Sequence, residues 1–151
     1  MLRQLLVGTA VSVCNIAIHA LVMATVVQIS SRIAGANNTV RQSPRLTTVM
    51  IATESIATVP ILRAAHFSEV MVWSLAYTII GAAPAGADPV YLAFLNYTTL
   101  GYGDVTPVER WRLLGPITAM NGVLLFGWST AVIFEVLWKA LPQVDEADGR
   151  R

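Results

Sequence analysis

Thr98-Thr99-Leu100-Gly101-Tyr102-Gly103-Asp104 is the stretch that decides the fold of this chain. Two glycines separated by one residue lie here inside an apolar region, and glycine reaches backbone torsions that residues with a Cβ rarely adopt. If alternate peptides are tilted, successive carbonyl oxygens point the same way, where no helix or sheet ladder uses them. Because buried carbonyls need partners, the stretch predicts an external ligand, and a dehydrated cation on a shared axis would serve.

A short helix is predicted directly before this stretch. Asp88 is a preferred N-cap residue and Pro89 suits the first helical position, so a helix should cover residues 89–98. Ten residues rise only about 15 Å, about half of the apolar thickness of a bilayer. Non-helical backbone at membrane depth is tolerated only where it is buried in protein or lines water. The order therefore predicts a re-entrant helix whose partly negative carboxyl end favours a cation.

The stretch resembles the selectivity filter of potassium channels, with Leu100 where the most familiar version has valine. The resemblance implies a queue of K⁺ sites formed by main-chain carbonyls and the threonine hydroxyl, at Thr99, Leu100, Gly101 and Tyr102, with Gly103 at the outer mouth. It also implies that Thr98 and Asp104 support the filter. The side chains of Leu100 and Tyr102 are expected to point away from the ions, into the wall.

The chain departs from the family at one position. In some bacterial members the acidic residue after the filter pairs with a carboxylate on the pore helix, one turn before the filter. Here the acidic residue is Asp104, but the position on the pore helix is Leu95. The departure bears on an inactivation mechanism based on that pair and leaves conduction untouched. The aromatic residues of the pore helix are interpreted as packing that braces the filter, at Tyr91, Phe94 and Tyr97.

The composition is that of a membrane protein of one domain. Of the 151 residues 55% are hydrophobic, the mean hydropathy is +0.61, and several apolar runs approach or exceed the ~20 residues that cross a bilayer. The net charge of +1 gives no electrostatic reason to expect nucleic acid as a partner. Cys14 is the one cysteine, so it forms no intrachain disulfide and is interpreted as a small buried hydrophobe.

Residues 4–30 form the first apolar run. The run is longer than the ~7–15 residues of a signal-peptide core and predicts a transmembrane helix. Asn15 and His19 share one face of this helix at i, i+4 spacing. Two interpretations are open: a proton or metal site, or a pair that hydrogen-bonds a neighbouring helix. Two polar side chains alone favour the second.

A basic loop follows over residues 31–45. Its only charges are arginines, Arg32, Arg41 and Arg45. An excess of basic residues in a short loop is typical of the cytoplasmic side of a membrane. Ser43 and Pro44 suit the N-cap and the first position of a second helix.

Residues 44–82 are almost all compatible with helix, which would be about 58 Å long, nearly twice the apolar thickness of a bilayer. Either one helix crosses once, kinks near Pro60 and extends into the cytoplasm, or the chain turns near residues 63–66 and forms two spans. The single helix is favoured because residues 63–69 contain no Gly, Asn or Pro. An even split would also place the loop arginines outside.

Arg63, His66 and Glu69 lie broadly along one face of the second helix. They form either a pH- or voltage-sensing cluster or an interfacial salt bridge that anchors the helix. The anchor is favoured, because a voltage sensor needs several basic residues at regular spacing through one span.

The inner helix is predicted to start at the capping box Thr106-Pro107-Val108-Glu109 and to run toward Leu141, where Pro142 helps to stop it. Trp111 should anchor it at the outer interface. Polar side chains inside the membrane should face the watery cavity, at Asn121, Ser129 and Thr130.

Possible gate residues of this helix are Asn121, Gly122, Gly127 and Glu135. The two glycines are hinges or points of close packing, with neither interpretation preferred. Glu135 either concentrates cations at the inner mouth or is a charge paired with Lys139 at i+4, and these alternatives are also open.

The sequence therefore predicts an all-α membrane protein. Residues 66–141 form a potassium-channel pore module of outer helix, re-entrant pore helix, selectivity filter and inner helix. Residues 1–65 hold the N-terminal transmembrane helix, the basic loop and the start of the second helix, so that one or two extra transmembrane helices precede the module. Residues 142–151 form a short cytoplasmic tail. Because carbonyls from one chain cannot surround an ion, the predicted assembly is a homotetramer with cyclic symmetry.

The resemblance implies a K⁺-selective channel subunit that conducts passively, as a multi-pass protein of the cell (inner) membrane. Its expected partners are other copies of the chain, membrane lipid and permeant K⁺, with no cofactor. No enzyme is expected, because nothing resembles a nucleophile with its base. The alternatives are a non-selective cation channel, a non-conducting regulatory pore subunit, and a membrane interaction protein whose Gly-Tyr-Gly only packs helices.

Overall fold

The computed structural model describes the backbone of residues 1–36 and 44–140, and the side chains of residues 1–32 and 57–138. This part of the chain is helical and contains no strand. Its elements are α1 (Leu2–Ala36), α2 (Pro44–Ile80), α3 (Pro89–Tyr97), a short 3₁₀ helix (Glu109–Trp111) and α4 (Leu114–Ala140).

Helices α1 and α4 run parallel to each other, and α2 runs antiparallel to both. Near the start of α1, the side-chain oxygen of Gln4 accepts a hydrogen bond from the N–H of Leu113 at 2.9 Å, just before α4 begins. Further along both helices, Val26 of α1 and Val136 of α4 pack in one cluster with Leu62 at the midpoint of α2, whereas Tyr77 near the end of α2 packs with Leu114 at the start of α4. The connection from α2 to α4, which includes α3, therefore lies at the end where α1 begins; we call it the loop end.

Two apolar clusters form the core of the described residues. The larger one lies at the loop end and comprises Val70, Trp73, Tyr77, Ala82, Leu92, Ala93, Tyr97, Trp111 and Leu114. The smaller one lies toward the opposite end and comprises Met23, Val26, Leu62, Val132 and Val136. Along each of the three long helices, buried polar side chains lie between the two clusters.

Helix α2 is continuous from Pro44 to Ile80 and contains Pro60. This confirms that the helix is continuous and contradicts the alternative turn near residues 63–66, while the single crossing, the kink near Pro60 and the extension into the cytoplasm stay predictions. Its 37 residues rise about 56 Å. Residues 37–43, which hold most of the predicted basic loop and its Ser43 cap, lie outside the described residues.

Two helical segments of the described chain are long and apolar enough to cross a membrane, Leu2–Arg32 and Glu109–Trp138. In the first, Asn15 and His19 are buried against the other helices, whereas Cys14 is exposed. The interpretation of Cys14 as a buried hydrophobe is therefore wrong, because successive residues of a helix point about 100° apart and Cys14 lies on the outward face.

The predicted start of the inner helix is also wrong. The capping-box segment leads only into the 3₁₀ turn Glu109–Trp111, and α4 begins at Leu114. The N–H of Val108 instead donates to the carbonyl oxygen of Ala82 at 2.9 Å, and Glu109 pairs with Arg112 at 2.8 Å. This segment is held against the end of α2 and forms a separate 3₁₀ turn before α4.

Trp111 was expected at the outer interface of the membrane, and the structure places it in the core. It is 5% exposed and donates its Nε1–H to the carbonyl oxygen of Ile80 at 3.0 Å. That bond occupies one of the carbonyls left without an intrahelical partner at the end of α2. Residues 141–151, including Pro142 and the predicted tail, lie outside the described residues.

Candidate ion-conduction site and the buried polar cluster behind it

Helix α3 forms as its capping residues predict. The Asp88 carboxylate accepts a hydrogen bond from the N–H of Val90 at 2.8 Å, and Pro89 occupies the first turn. The helix ends at Tyr97, one residue earlier than predicted, because Thr98 caps it. The N–H and the hydroxyl of Thr98 both donate to the carbonyl oxygen of Phe94, at 3.0 and 2.7 Å.

The backbone after α3 alternates between two kinds of torsion. Thr99, Gly101 and Gly103 have φ values of +59°, +51° and +82°, whereas Leu100 and Tyr102 between them have none in the positive range. The N–H groups of Leu100 and Gly101 both donate back to the carbonyl oxygen of Leu95, at 3.0 and 3.3 Å. Alternation of this kind turns successive peptides, and it leaves the carbonyls of the stretch outside any helix or sheet ladder.

The side chains of this stretch are not covered by their own chain. Residues 98–104 are all exposed, with Leu100 at 53% and Tyr102 at 70%. The expectation that these two side chains point into a wall is therefore not met within one chain, and any wall must come from outside it.

Asp104 has a hydrogen-bond partner on α3, although not at the position that the family comparison suggested. The Tyr91 hydroxyl donates to the Asp104 carboxylate at 2.8 Å, while Leu95 is buried and apolar. The hydrogen bond to the carboxylate raises the pKa of the Tyr91 hydroxyl above its usual value. The sequence gives no signal for this hydrogen bond, because the resemblance points only to an acidic residue at the position of Leu95.

Behind α3, polar side chains from all four α-helices meet in what we call the buried polar cluster: Asn15, His19, His66, Glu69, Tyr97, Asn121 and Ser129. Glu69 is its centre and is fully buried. Its carboxylate lies 2.7 Å from His19 Nδ1 and 3.1 Å from His66 Nδ1, and it accepts a short hydrogen bond from the Tyr97 hydroxyl.

The second layer of this cluster lies nearer the loop end. The Asn15 amide donates to Asn121 Oδ1 at 3.1 Å and to the carbonyl oxygen of Glu69 at 3.3 Å. Trp73 donates its Nε1–H to the same Asn121 oxygen at 2.9 Å. Asn121 and Ser129 are 2% and 5% exposed, so the expectation that they face a watery cavity is wrong. They bind the helices together instead.

The open interpretations of the first two helices are resolved in part. Asn15 and His19 do bond a neighbouring helix, as favoured. The interfacial anchor built from Arg63, His66 and Glu69 is wrong, because Glu69 is fully buried and its side chain contacts His66 and His19, while Arg63 is exposed. The sequence did contain a signal for this cluster, because one carboxylate and both histidines of the chain lie in apolar helices. Ionisable residues inside membrane helices suggest a functional site.

Of the two glycines proposed as hinges or packing points, Gly122 is a packing point. A Cβ at Gly122 would overlap the carbonyl oxygen of Tyr97 and lie 2.9 Å from its carbonyl carbon. A Cβ at Gly127 would meet nothing within 4 Å. Helix α4 therefore touches the carboxyl end of α3 backbone to backbone at Gly122. Glu135 is exposed, and the Lys139 side chain lies outside the described residues, so its two interpretations stay as predictions.

Comparison with known proteins indicates the class of protein to which this chain belongs. Residues 65–139, about half of the chain, match a family model described as ion channel. This segment runs from the second half of α2 through α3 to α4, so it contains residues 98–104 but not Asn15 and His19 of the buried polar cluster. The chain thus carries an ion channel domain and is a membrane protein of the transport class. No curated protein and no solved structure matches it.

Proposed function

We propose that the chain is one subunit of a K⁺-selective channel whose selectivity filter is the backbone of residues 99–103. The observation that carries the proposal is the alternation of backbone torsions, with positive φ at Thr99, Gly101 and Gly103. This alternation supports a row of carbonyl oxygens that share one direction. Such a row replaces the hydration shell of an alkali-metal ion when several chains present it to a common axis.

The proposed assembly is a homotetramer with cyclic symmetry. One chain offers one row of carbonyls, and its residues 98–104 are exposed, so the ion would be open to solvent on the other sides. Identical neighbours supply the missing oxygens and cover Leu100 and Tyr102. Neighbouring subunits would also cover α4, where the apolar side chains of Met120 and Leu124 are 67% and 63% exposed.

Conduction in this proposal is passive. K⁺ sheds water into the carbonyl cage and moves on when a following ion repels it. Helix α3 contributes through its carboxyl end at Tyr97, which carries partial negative charge and lies two residues before Thr99. Thr98 and Asp104 support the filter from its two ends, through the contacts with Phe94 and Tyr91.

The helix directions support a membrane orientation. Helix α1 begins at the loop end, which carries the candidate filter, and so ends at the opposite side, near the predicted basic loop. With the filter mouth outside, Arg32 lies on the cytoplasmic side, which agrees with the positive-inside rule. The proposed location is therefore the cell (inner) membrane, with several spans.

The test is a reversal-potential measurement. The purified full-length chain is reconstituted in planar bilayers with K⁺ on one side and Na⁺ on the other. We expect a reversal potential close to the K⁺ equilibrium potential. A reversal potential near zero supports the alternative of a non-selective cation channel, and current that never appears supports a non-conducting regulatory subunit. Native mass spectrometry measures the number of chains in the assembly, and a stable monomer would exclude a pore built from several chains.

Replacing Tyr91 with phenylalanine should lower the steady K⁺ flux of proteoliposomes several-fold. The change removes the hydroxyl that holds Asp104 at the end of the filter, so the mouth loses its tie to α3. Asp104→Asn is expected to act in the same direction, and the double variant should be no worse than either, because both changes remove one interaction.

The pH dependence of K⁺ flux should follow from the hydrogen bond between Tyr91 and Asp104. The Tyr91 pKa is raised in the folded protein, so the hydroxyl keeps its proton at neutral pH and loses it only when the pH rises through that raised value. Wild-type flux should therefore fall toward that of Tyr91→Phe in strongly alkaline buffer, whereas the variant lacks this step. An identical alkaline loss in both proteins would contradict the assigned role of the bond.

A further inference from the structure

Two histidines and one carboxylate meet at the centre of the buried polar cluster. The three ligating atoms, one each from His19, His66 and Glu69, lie within 4.8 Å of one another. We propose that these residues form a binding site for a divalent transition-metal ion of the Zn²⁺ type, which joins α1 to α2 directly behind α3. Two imidazoles and one carboxylate are a donor set that Zn²⁺ prefers.

The orientation of the two imidazole rings supports an ion rather than a chance meeting. Both rings turn Nδ1 toward the Glu69 carboxylate, at 2.7 Å for His19 and 3.1 Å for His66. Both turn Nε2 toward the hydroxyl of Ser129, at 3.3 and 2.9 Å. Histidines that bind a metal hold their second ring nitrogen in this way, because the outer hydrogen bond sets the tautomer and the direction of the ring.

The proton count of the cluster is compatible with an ion. If both imidazoles are neutral, three hydrogen bonds to Glu69 each need a proton, from His19, His66 and Tyr97. The His66 proton also faces the Tyr97 oxygen, and this pair is counted once. The two Nε2–Ser129 contacts need two more. Each neutral histidine, Tyr97 and Ser129 supplies one proton, so the five contacts have four protons, and a fifth must come from a protonated imidazole unless an ion takes its place.

A metal ion removes this mismatch. Both Nε2–H groups then donate to the Ser129 oxygen, which has two lone pairs, and both Nδ1 lone pairs face the ion. One Glu69 oxygen binds the ion and the other keeps the hydrogen bond from Tyr97. The positive charge also compensates a fully buried carboxylate, which is costly to leave without a full counter-charge.

The site has a route of entry and room for a fourth ligand. A cavity of about 520 Å³ borders the cluster, and its lining includes His66, Tyr97 and Arg63. His66 is 15% exposed through its side chain, whereas those of His19 and Glu69 are fully buried. The cavity is lined mainly by apolar and aromatic side chains, so the fourth ligand would be a water molecule that enters through it, because Arg63 on the cavity wall supplies no ligand.

The metal would act on the candidate filter through Tyr97. This residue is the last of α3, it contacts Glu69 and His66, and it is followed directly by residues 98–104. An ion bound behind it fixes the end of α3 against α1 and α2. This functional consequence rests on the proposed channel function, whereas metal binding itself does not.

The experiment measures Zn²⁺ binding to the purified full-length protein in detergent, without a polyhistidine tag, in competition with a chromophoric chelator. We expect one Zn²⁺ per chain. His19→Ala and His66→Ala should weaken binding by more than about 100-fold, and Ser129→Ala, which removes only the outer hydrogen bonds, by about 10- to 100-fold. Glu109→Gln and Cys14→Ser are matched controls at an exposed carboxylate and the exposed thiol, and both should bind as wild type does.

A spectroscopic measurement on the wild type covers the case in which a variant fails to fold. Co²⁺ in place of Zn²⁺ should give the intense visible absorption of a four-coordinate site with nitrogen and oxygen ligands. Absence of Zn²⁺ binding to the wild type means that the cluster is held by protons alone and overturns the proposal, as does unchanged binding in folded His19→Ala and His66→Ala. Metal binding in a protein that passes no K⁺ keeps the site and contradicts the channel function instead.

Discussion

Replacing Gly122 with alanine should destabilise the protein by about 1–3 kcal/mol, the usual cost of overpacking, and abolish K⁺ flux. The added Cβ overlaps the carbonyl oxygen of Tyr97, which is main chain and cannot rotate away as a side chain could. Either α4 or the carboxyl end of α3 must move. Because the candidate filter begins two residues after Tyr97, either movement displaces its carbonyls. Thermal unfolding in detergent and K⁺ flux into proteoliposomes measure the two effects.

Gly127→Ala is the matched control for this prediction. Gly127 lies in the same helix, and a Cβ there meets nothing within 4 Å. Alanine should therefore leave the unfolding temperature unchanged or raise it slightly, since alanine is favoured over glycine in a helix by up to about 1 kcal/mol. If both variants are destabilised equally, the loss comes from flexibility of the helix and the contact with Tyr97 is not its cause.

Replacing Gly103 with alanine should abolish the preference for K⁺ over Na⁺. Gly103 has a φ of +82°, which residues with a Cβ adopt only at a cost of about 1–2 kcal/mol. Relief of that strain turns the peptide, and with it a carbonyl at the outer end of the proposed ion row. The reversal potential with K⁺ and Na⁺ on opposite sides is the measurement, and we expect it to move toward zero.

Gly86→Ala is the control that distinguishes the effect of backbone strain from the effect of a position in the filter. Gly86 has a φ of +80°, and a Cβ at either glycine meets nothing within 4 Å, so the two alanine variants bear nearly the same conformational cost. Gly86 lies in the turn between α2 and α3, away from the proposed ion path. Its variant should lose similar stability but keep K⁺ selectivity. Selectivity that survives in Gly103→Ala, or is lost in both variants, would contradict the assignment of residues 99–103 as the filter.

The predictions that succeeded depend on local signals. The Asp88 cap and Pro89 define the start of α3 from residues within one turn. The absence of helix breakers in residues 63–69 predicts the continuity of α2. These features depend on backbone torsions and on nearest neighbours along the chain, so a single sequence is sufficient to predict them.

The predictions that failed depend on which residues meet across helices. Asn121 reads as a polar residue facing water, yet it accepts bonds from Asn15 and Trp73. Trp111 reads as an interface anchor, yet it caps the end of α2 at Ile80. Periodicity shows that a helix has a polar face, but it does not show whether that face meets lipid, water or another polar side chain.

From its sequence alone, the chain is determined to be helical and membrane-embedded, with a glycine-containing stretch placed after a short capped helix. Only the tertiary structure decided that His19, His66 and Glu69 come together, although 50 residues separate His19 from Glu69 along the chain. The physical reason is that helices follow from torsional preferences and apolar length, which act locally. Their mutual rotation and depth follow from side-chain packing and from the need to pair buried polar groups, which act only once the helices are in contact.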